Sequence, residues 1–94
     1  SPRYIKKIVV KGNKTVPTEA ILNRIPYQLG ELFDADRTRQ LINNVYSLGK
    51  LPFGIGYFKN IKVAGEHVGD DGINLIVIVE EKDTVHDIIF HGNK

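Results

Sequence analysis

The sequence predicts an α+β domain in which two antiparallel helices cover one face of a three-stranded mixed sheet. Three observations predict it: an early run of β-branched residues that ends at a Gly-Asn turn, an amphipathic helix near the middle, and two strand-like segments in the second half. The element order is therefore β-α-α-β-β. Because a helix pair returns the chain to the end from which it left, the second strand runs opposite to the first, and a short turn then makes the third strand parallel to the first. The third strand is the most apolar, so we expect it in the centre, with strand order 1-3-2.

The first half of the chain supplies one strand and both helices. The strand is predicted at residues 4–11 (YIKKIVVK). A short helix is expected to begin at Pro17, which suits a first helical turn, and to end before Pro26. Asp34 is expected to cap a second helix over about residues 35–48. The apolar stripe of this helix comprises Leu41, Ile42, Val45, Tyr46 and Leu48.

The second half supplies the other two strands. They are predicted at residues 57–64 (YFKNIKVA) and 73–79 (INLIVIV), with a polar turn region at 65–72 between them. The later strand is expected to be central, which leaves the earlier one at an edge of the sheet. Alternate side chains of the central strand are expected to pack beneath the helices: Leu75, Val77 and Val79 against Ile21, Ile25, Leu41 and Val45.

Length and composition fit one small globular domain. The chain has 94 residues, of which 41% are hydrophobic and 26% charged. A net charge of +2, from charges spread along the chain, argues against a nucleic-acid or membrane-surface role that depends on electrostatics. There is no cysteine, hence no disulfide and no thiolate metal site. No apolar run approaches the roughly 20 residues that span a bilayer. Because the chain has no methionine and begins Ser1-Pro2, we expect it to be a piece of a longer protein.

The two ends of the chain repeat each other. Residues 8–14 (IVVKGNK) align position by position with residues 88–94 (IIFHGNK). A repeat period of about 80 residues indicates whole small domains in tandem rather than a solenoid. The sequence therefore predicts one domain at residues 1–83 and the truncated first strand of a following repeat at residues 84–94.

Four segments in this order resemble a POTRA domain (a polypeptide-transport-associated domain) of the BamA-type outer-membrane assembly proteins: IKKIVVKGNKTVPTEAI, LGELFDADRTRQLINNVYSLG, GYFKNIKV and LIVIVEEKDTV. The most specific parts are the Gly12-Asn13 turn, the Tyr57-Phe58-x-x-Ile61 opening of the second strand, and Glu81-Lys82 at the end of the third. The chain departs from the usual family pattern by inserting residues 50–55 between two glycines.

The resemblance implies a fold, a place and partners. The fold is the POTRA β-α-α-β-β arrangement, and the place is the periplasmic face of the bacterial outer membrane, as part of an outer-membrane protein. The implied partners are unfolded outer-membrane protein precursors, accessory lipoproteins of the assembly complex, neighbouring POTRA domains and a C-terminal membrane β-barrel of the same chain. The implied role is protein binding during the assembly and membrane insertion of β-barrel proteins.

The predicted edge strand is the first candidate binding site. An extended peptide could join it by β-augmentation, in which main-chain hydrogen bonds bind a partner with little demand on its sequence. The residues concerned are Phe58, Lys59, Asn60, Ile61, Lys62 and Val63. The alternative is an inert edge that two of its lysines protect from aggregation. Proline at Asn60 or Lys62 distinguishes the two, and we expect only one of these positions to direct its N–H outward.

The inserted loop is a second candidate. Leu51, Phe53 and Ile55 occupy alternate positions in it. They form either an exposed contact patch or a cover that folds back over the open end of the core.

The residues that could carry chemistry form no recognisable centre. His67, His86 and His91 lack metal-site spacing and have no cysteine beside them. Glu80 and Glu81 are neighbours on a strand and should point to opposite faces, which is wrong for a paired acid and base. We therefore predict no catalytic residue, cofactor or metal, and a protein that is not an enzyme.

Two other functions remain open at this point. A two-partner secretion transporter would use a similar domain to capture one secreted substrate. A KH-like RNA-binding module also packs helices on a three-stranded sheet, but it needs a GxxG loop between its first two helices. The corresponding link, residues 26–33, has one glycine and no basic residue, so we expect no nucleic-acid partner.

Overall fold

The computed structural model of the chain describes residues 2–50, 54–83 and 85. They form β1 (Tyr4–Lys11), α1 (Thr18–Leu22), α2 (Ala35–Tyr46), β2 (Phe58–Val68) and β3 (Gly72–Glu81). The strands make one sheet of order β1-β3-β2, with β1 parallel and β2 antiparallel to β3. The predicted α+β class and strand order are confirmed. Among the described residues, no helix has the length and apolar character needed to cross a membrane.

The core lies between the helices and one face of the sheet. Leu75 and Val77 of the central strand are fully buried and Val79 nearly so. They share one apolar cluster with Ile21, Ile25, Leu41 and Val45, as the sequence predicts. On the opposite face, Ile78 keeps 39% of its surface exposed. The predicted alternation along β3 is therefore also confirmed.

α2 begins where the sequence predicts, α1 begins one residue later with Pro17 as its N-cap, and both helices end slightly earlier than predicted. The carboxylate of Asp34 accepts the N–H of Asp36 at 3.1 Å and caps α2. α1 ends at Leu22 rather than near Ile25. Hydrogen bonds of the tighter i→i−3 type then carry the chain to Ile25, since Arg24 N–H donates to the Ile21 carbonyl and Ile25 N–H to that of Leu22.

The hairpin of β2 and β3 is longer than predicted. Residues 65–68 lie in β2 rather than in a turn, and the turn itself is reduced to residues 69–71. The reason is the pairing between the two strands. β3 begins at Gly72, and each of its residues has a partner on β2, with Val68 opposite Gly72 and Gly65 opposite Leu75. The predicted turn at residues 65–72 was too long, because it rested on the local polarity of the sequence, whereas pairing within the hairpin keeps residues 65–68 extended.

Glu81 joins the end of β3 to the loop that leaves β1. Its carboxylate accepts three consecutive main-chain N–H groups, those of Lys14, Thr15 and Val16, at distances of 2.6 to 3.1 Å. Gly12, just before this loop, has φ +91°, and a Cβ there would collide with the carbonyl oxygen of Val79. Two of the motifs that carry the resemblance, Gly12-Asn13 and Glu81-Lys82, are therefore parts of one structural junction.

The loop between the helices covers the beginning of the outer edge of β1. Ile5 donates its N–H to the main-chain carbonyl of Glu31 at 2.8 Å, and the carbonyl of Ile5 accepts the N–H of Gly30 at 2.7 Å. Tyr4 forms an antiparallel bridge with Leu32. The sheet thus gains a short fourth segment at this edge, along the first residues of β1 only.

Two interactions hold this loop in place. The hydroxyl of Tyr27 accepts the N–H of Asp34 at 2.9 Å and donates its own proton to the main-chain carbonyl of Asp34 at 2.6 Å. Glu31 accepts the N–H of Gln28 at 2.6 Å and lies 3.1 Å from the guanidinium of Arg37. The Gln28 N–H, helped by Arg37, lowers the pKa of Glu31 below its ordinary value.

Candidate protein-interaction edge

β2 is one edge of the sheet, since it pairs only with β3. All six residues singled out in the sequence, 58–63, lie on this strand. Its position at the edge was predicted correctly. Whether it binds a partner is still a prediction.

One hydrogen bond fixes which main-chain groups of β2 face outward. Ile61 donates its N–H to the hydroxyl of Tyr46 at 3.1 Å, away from β3. Because main-chain groups alternate in direction along a strand, Val63, Gly65 and His67 also point outward. The N–H groups of Asn60 and Lys62 face β3. The expectation that one of these two positions faces outward was wrong, because residues two apart face the same way.

The first half of the predicted site is partly occupied by the protein itself. Phe58 and Ile61 are 2% and 7% exposed, so their side chains belong to the core and cannot contact a partner. The outward N–H of Ile61 is taken by Tyr46. Just before the strand, Tyr57 donates its N–H to the carbonyl of Leu48 at 3.1 Å, which ties this end of β2 to the end of α2. The open part of the edge therefore begins at Val63.

The second half of β2 is more accessible than the predicted site. Residues 64–68 are all exposed. Among the residues described, none bonds to the outward main-chain groups of Val63, Gly65 or His67. Sequence reasoning missed residues 65–67 because it read the glycine and the polar residues as a turn. The signal that could have found them is hairpin symmetry: a turn centred on Asp70 requires a partner for each residue of the following apolar run.

The charges of the edge are modest. Lys59 lies 3.4 Å from Glu80 on β3, and both side chains are about half exposed. An exposed pair of this kind contributes little to stability, about 0–1 kcal/mol. Lys62 is exposed and has no ion pair within the described part of the chain. A partner on this edge would therefore meet main-chain groups and one unpaired lysine rather than a strong field.

The structure describes only one residue of the candidate loop patch. Ile55 is 43% exposed and is not one of the buried core residues. Leu51 and Phe53 lie outside the described residues. The patch thus stays a prediction that rests on Ile55.

The remaining polar candidates are placed as follows. His67 is exposed on β2, while His86 and His91 lie outside the described residues. Within the described residues no group of three His, Cys, Asp or Glu side chains could hold a metal ion. Glu80 faces Lys59 and Glu81 the loop at residues 14–16, so the two carboxylates do not act together.

The β-α-α-β-β order, the mixed sheet and the helix pair define the class of the domain, and comparison with known proteins gives its family. The model of the POTRA family, described as a surface antigen variable number repeat, matches residues 3–82. The chain belongs to this family. Its fold is similar to a solved structure titled POTRA1-2 of the periplasmic domain of Omp85 from Anabaena, with 20% sequence identity and a TM-score of 0.66. The match covers 87% of this chain and 47% of that one, so this chain spans about half of that structure. No curated protein gives a significant sequence match.

Proposed function

We propose that this POTRA domain is a periplasmic protein-interaction module of an outer-membrane β-barrel assembly machine, and that it docks unfolded barrel precursors or accessory lipoproteins by β-augmentation on β2. The observation that carries the proposal is the outward-facing main chain at Val63, Gly65 and His67, to which no described residue bonds. An extended segment laid along these residues would add a fourth strand to the sheet.

The chemistry of this edge suits a client that varies in sequence. Main-chain hydrogen bonds are common to every extended peptide, whereas the side chains of barrel strands differ from one precursor to the next. Gly65 has no side chain, and its neighbours Ala64 and Glu66 are exposed. The edge therefore recognises extended backbone and imposes few demands on side chains. The named similarity to a periplasmic POTRA pair supports the location and the kind of parent protein.

The terminal repeat supports neighbouring POTRA domains as part of this proposal, and the C-terminal barrel rests on the family resemblance alone. A parent that is a two-partner secretion transporter would use the same edge for one secreted substrate. A panel of extended peptides separates the two: an assembly factor binds many barrel-strand sequences with similar affinity, while a secretion transporter prefers its own substrate.

The RNA-binding alternative lacks support. The family match covers residues 3–82, and the link at residues 26–33 offers neither a second glycine nor a basic residue to a phosphate. A gel shift with single-stranded RNA is a useful control, and we expect no complex.

The proposal is tested by titrating the ¹⁵N-labelled protein with a synthetic peptide that copies an outer-membrane β-strand. Chemical shifts should change along residues 63–68. His67→Pro removes one outward N–H and should weaken binding about three- to tenfold, the range for one lost hydrogen bond, whereas His67→Ala keeps the N–H and should bind normally. Val63→Pro and Val63→Ala form a second pair. If shifts cluster instead around Ile55, or if proline and alanine weaken binding equally, β2 is not the docking site.

A further inference from the structure

A cleft lies at the opposite edge of the sheet from β2, between β1 and the loop that follows α1. It has a volume of about 460 Å³. Its lining consists of Lys6, Lys7, Ile8, Leu22, Ile25, Tyr27, Gln28 and Leu29. The two leucines of this lining are accessible, Leu22 at 38% and Leu29 at 65% exposed. An apolar lining with accessible leucines is what a cleft that receives apolar side chains requires.

The main chain beside the cleft has unused hydrogen-bonding groups. Ile5 directs both its N–H and its C=O away from β3, toward the loop at residues 30–31. Ile8 and Val10 share its face of the sheet, since both pack against the core. The regular alternation is interrupted by a register shift between Ile5 and Lys7. Beyond it, residues on the core face again direct their main-chain groups away from β3, so the N–H and C=O groups of Ile8 and Val10 point outward. No residue that the structure describes bonds to them there.

The chain itself shows how this edge accepts a strand. Residues 30–32 already lie antiparallel along Tyr4 and Ile5, and residues 30 and 31 bond to the main chain of Ile5. The segment then turns away at Gly30, which has φ +91°. The ladder therefore stops at the point where the cleft begins, and an extended ligand can continue it along Ile8 and Val10 while its side chains enter the cleft.

Charge identifies the chemistry of the ligand. The charged residues that line the cleft are both basic, Lys6 and Lys7, and neither forms an ion pair within the described residues. No carboxylate lines the cleft to offset them. We propose that the outer edge of β1 binds an extended peptide that places apolar side chains in the cleft and a glutamate or aspartate side chain beside these lysines. This site is separate from the β2 edge, so one domain would hold two strands, one at each side of its sheet.

The test uses the full 94-residue chain and an extended, C-terminally amidated peptide that alternates leucine with glutamate. A ¹⁵N titration should shift Ile8, Val10, Leu22 and Leu29. The double variant Leu22→Gln/Leu29→Gln should weaken binding about tenfold, because it removes apolar contact from two accessible leucines. The matched control is Ile78→Gln, since Ile78 is 39% exposed on the other face, and it should bind normally.

Two further comparisons test whether the ligand needs its acidic side chains and whether this site is separate from the β2 edge. Replacing the glutamates of the peptide with glutamine, or changing Lys6 and Lys7 to alanine, should weaken binding several-fold, and added salt should reduce the affinity for the original peptide. The variant Val63→Pro should leave this affinity unchanged, so failure here and failure at β2 are distinguishable. Shifts confined to β2, full affinity in the leucine double variant, or equal affinity for the glutamine peptide would each overturn the proposal.

Discussion

The hydroxyl of Tyr46 accepts the outward N–H of Ile61 at 3.1 Å, so a side chain at the end of α2 closes part of the edge of β2. Removing that hydroxyl by Tyr46→Phe leaves a main-chain N–H without its partner. We expect a loss of about 1 kcal/mol in the free energy of unfolding, and faster amide exchange at Ile61. Tyr57→Phe is the control, since no described residue bonds to the Tyr57 hydroxyl. Unchanged exchange at Ile61 in Tyr46→Phe would show that the bond does not protect the edge.

Leu41 tests the contact between α2 and the sheet. It is fully buried in the cluster that contains the central strand. Leu41→Ala should lower the free energy of unfolding by about 2–5 kcal/mol through lost burial and the cavity left behind. The exposed neighbour Gln40→Ala should change it by less than about 0.5 kcal/mol. Denaturant unfolding measures both, and a small loss at Leu41 would contradict the packing described.

The adjacent residues Glu80 and Glu81 at the end of β3 allow a comparison of two matched variants. Glu81 accepts three loop N–H groups, whereas Glu80 makes one exposed ion pair with Lys59. Glu81→Gln should destabilise the domain by about 1–3 kcal/mol, because an amide offers one acceptor oxygen instead of two and no charge. Glu80→Gln should cost less than about 1 kcal/mol. Equal losses in thermal unfolding would mean that the junction at residues 14–16 does not depend on Glu81.

Glu31 should make stability depend on pH. Its pKa is lower in the folded protein than its ordinary value, chiefly because its carboxylate accepts the Gln28 N–H. The stabilisation is therefore present above the unfolded pKa, near 4.5, and is lost as pH falls through the lower folded value. Glu31→Gln should remove this part of the acid-side loss. A carboxyl titration followed by NMR should show the lowered pKa, and an ordinary value would contradict the loop geometry.

The domain boundary can be located by truncation. Val85 is 1% exposed and packs in the core, although the sequence places the end of the domain at residue 83. A chain that ends at Val85 should keep its thermal midpoint within about 2 °C. One that ends at Asp83 should lose about 1–3 kcal/mol, the value of burying a valine. A large fall on removing only residues 86–94 would mean that they belong to this domain rather than to a following repeat.

The features that the sequence predicted well are those set by a simple periodicity. The alternation in β3 and the apolar stripe of α2 both identified their buried faces, because each pattern repeats over several turns or pleats. The cap at Asp34 was equally readable, since its carboxylate bonds within its own helix turn. The predictions that were wrong concern features that depend on contacts between residues far apart in the sequence. The length of β2 is set by its pairing with β3. Which N–H groups of β2 face outward is known only from the hydrogen bond between Ile61 and Tyr46, fifteen residues earlier.

The cleft at β1 illustrates the same limit. Nothing in the sequence marks Leu22 and Leu29 as surface residues, and only the fold shows that they are accessible. Gly30 is a turn residue with φ +91°. Its pairing with Ile5 brings together residues that are far apart in the chain.

The parallel pairing of β1 with β3 also has a mechanical consequence. Tyr4 pairs with Gly72 and Lys11 with Ile78, so the chain enters at one end of this ladder and leaves at the other. Tension applied through the two flanking segments pulls β1 and β3 past each other along their length. The hydrogen bonds between them are then loaded together in shear, instead of opening one after another as in a hairpin pulled from its open end. A domain built this way should resist tension applied along the chain more strongly than one whose terminal strands form a hairpin.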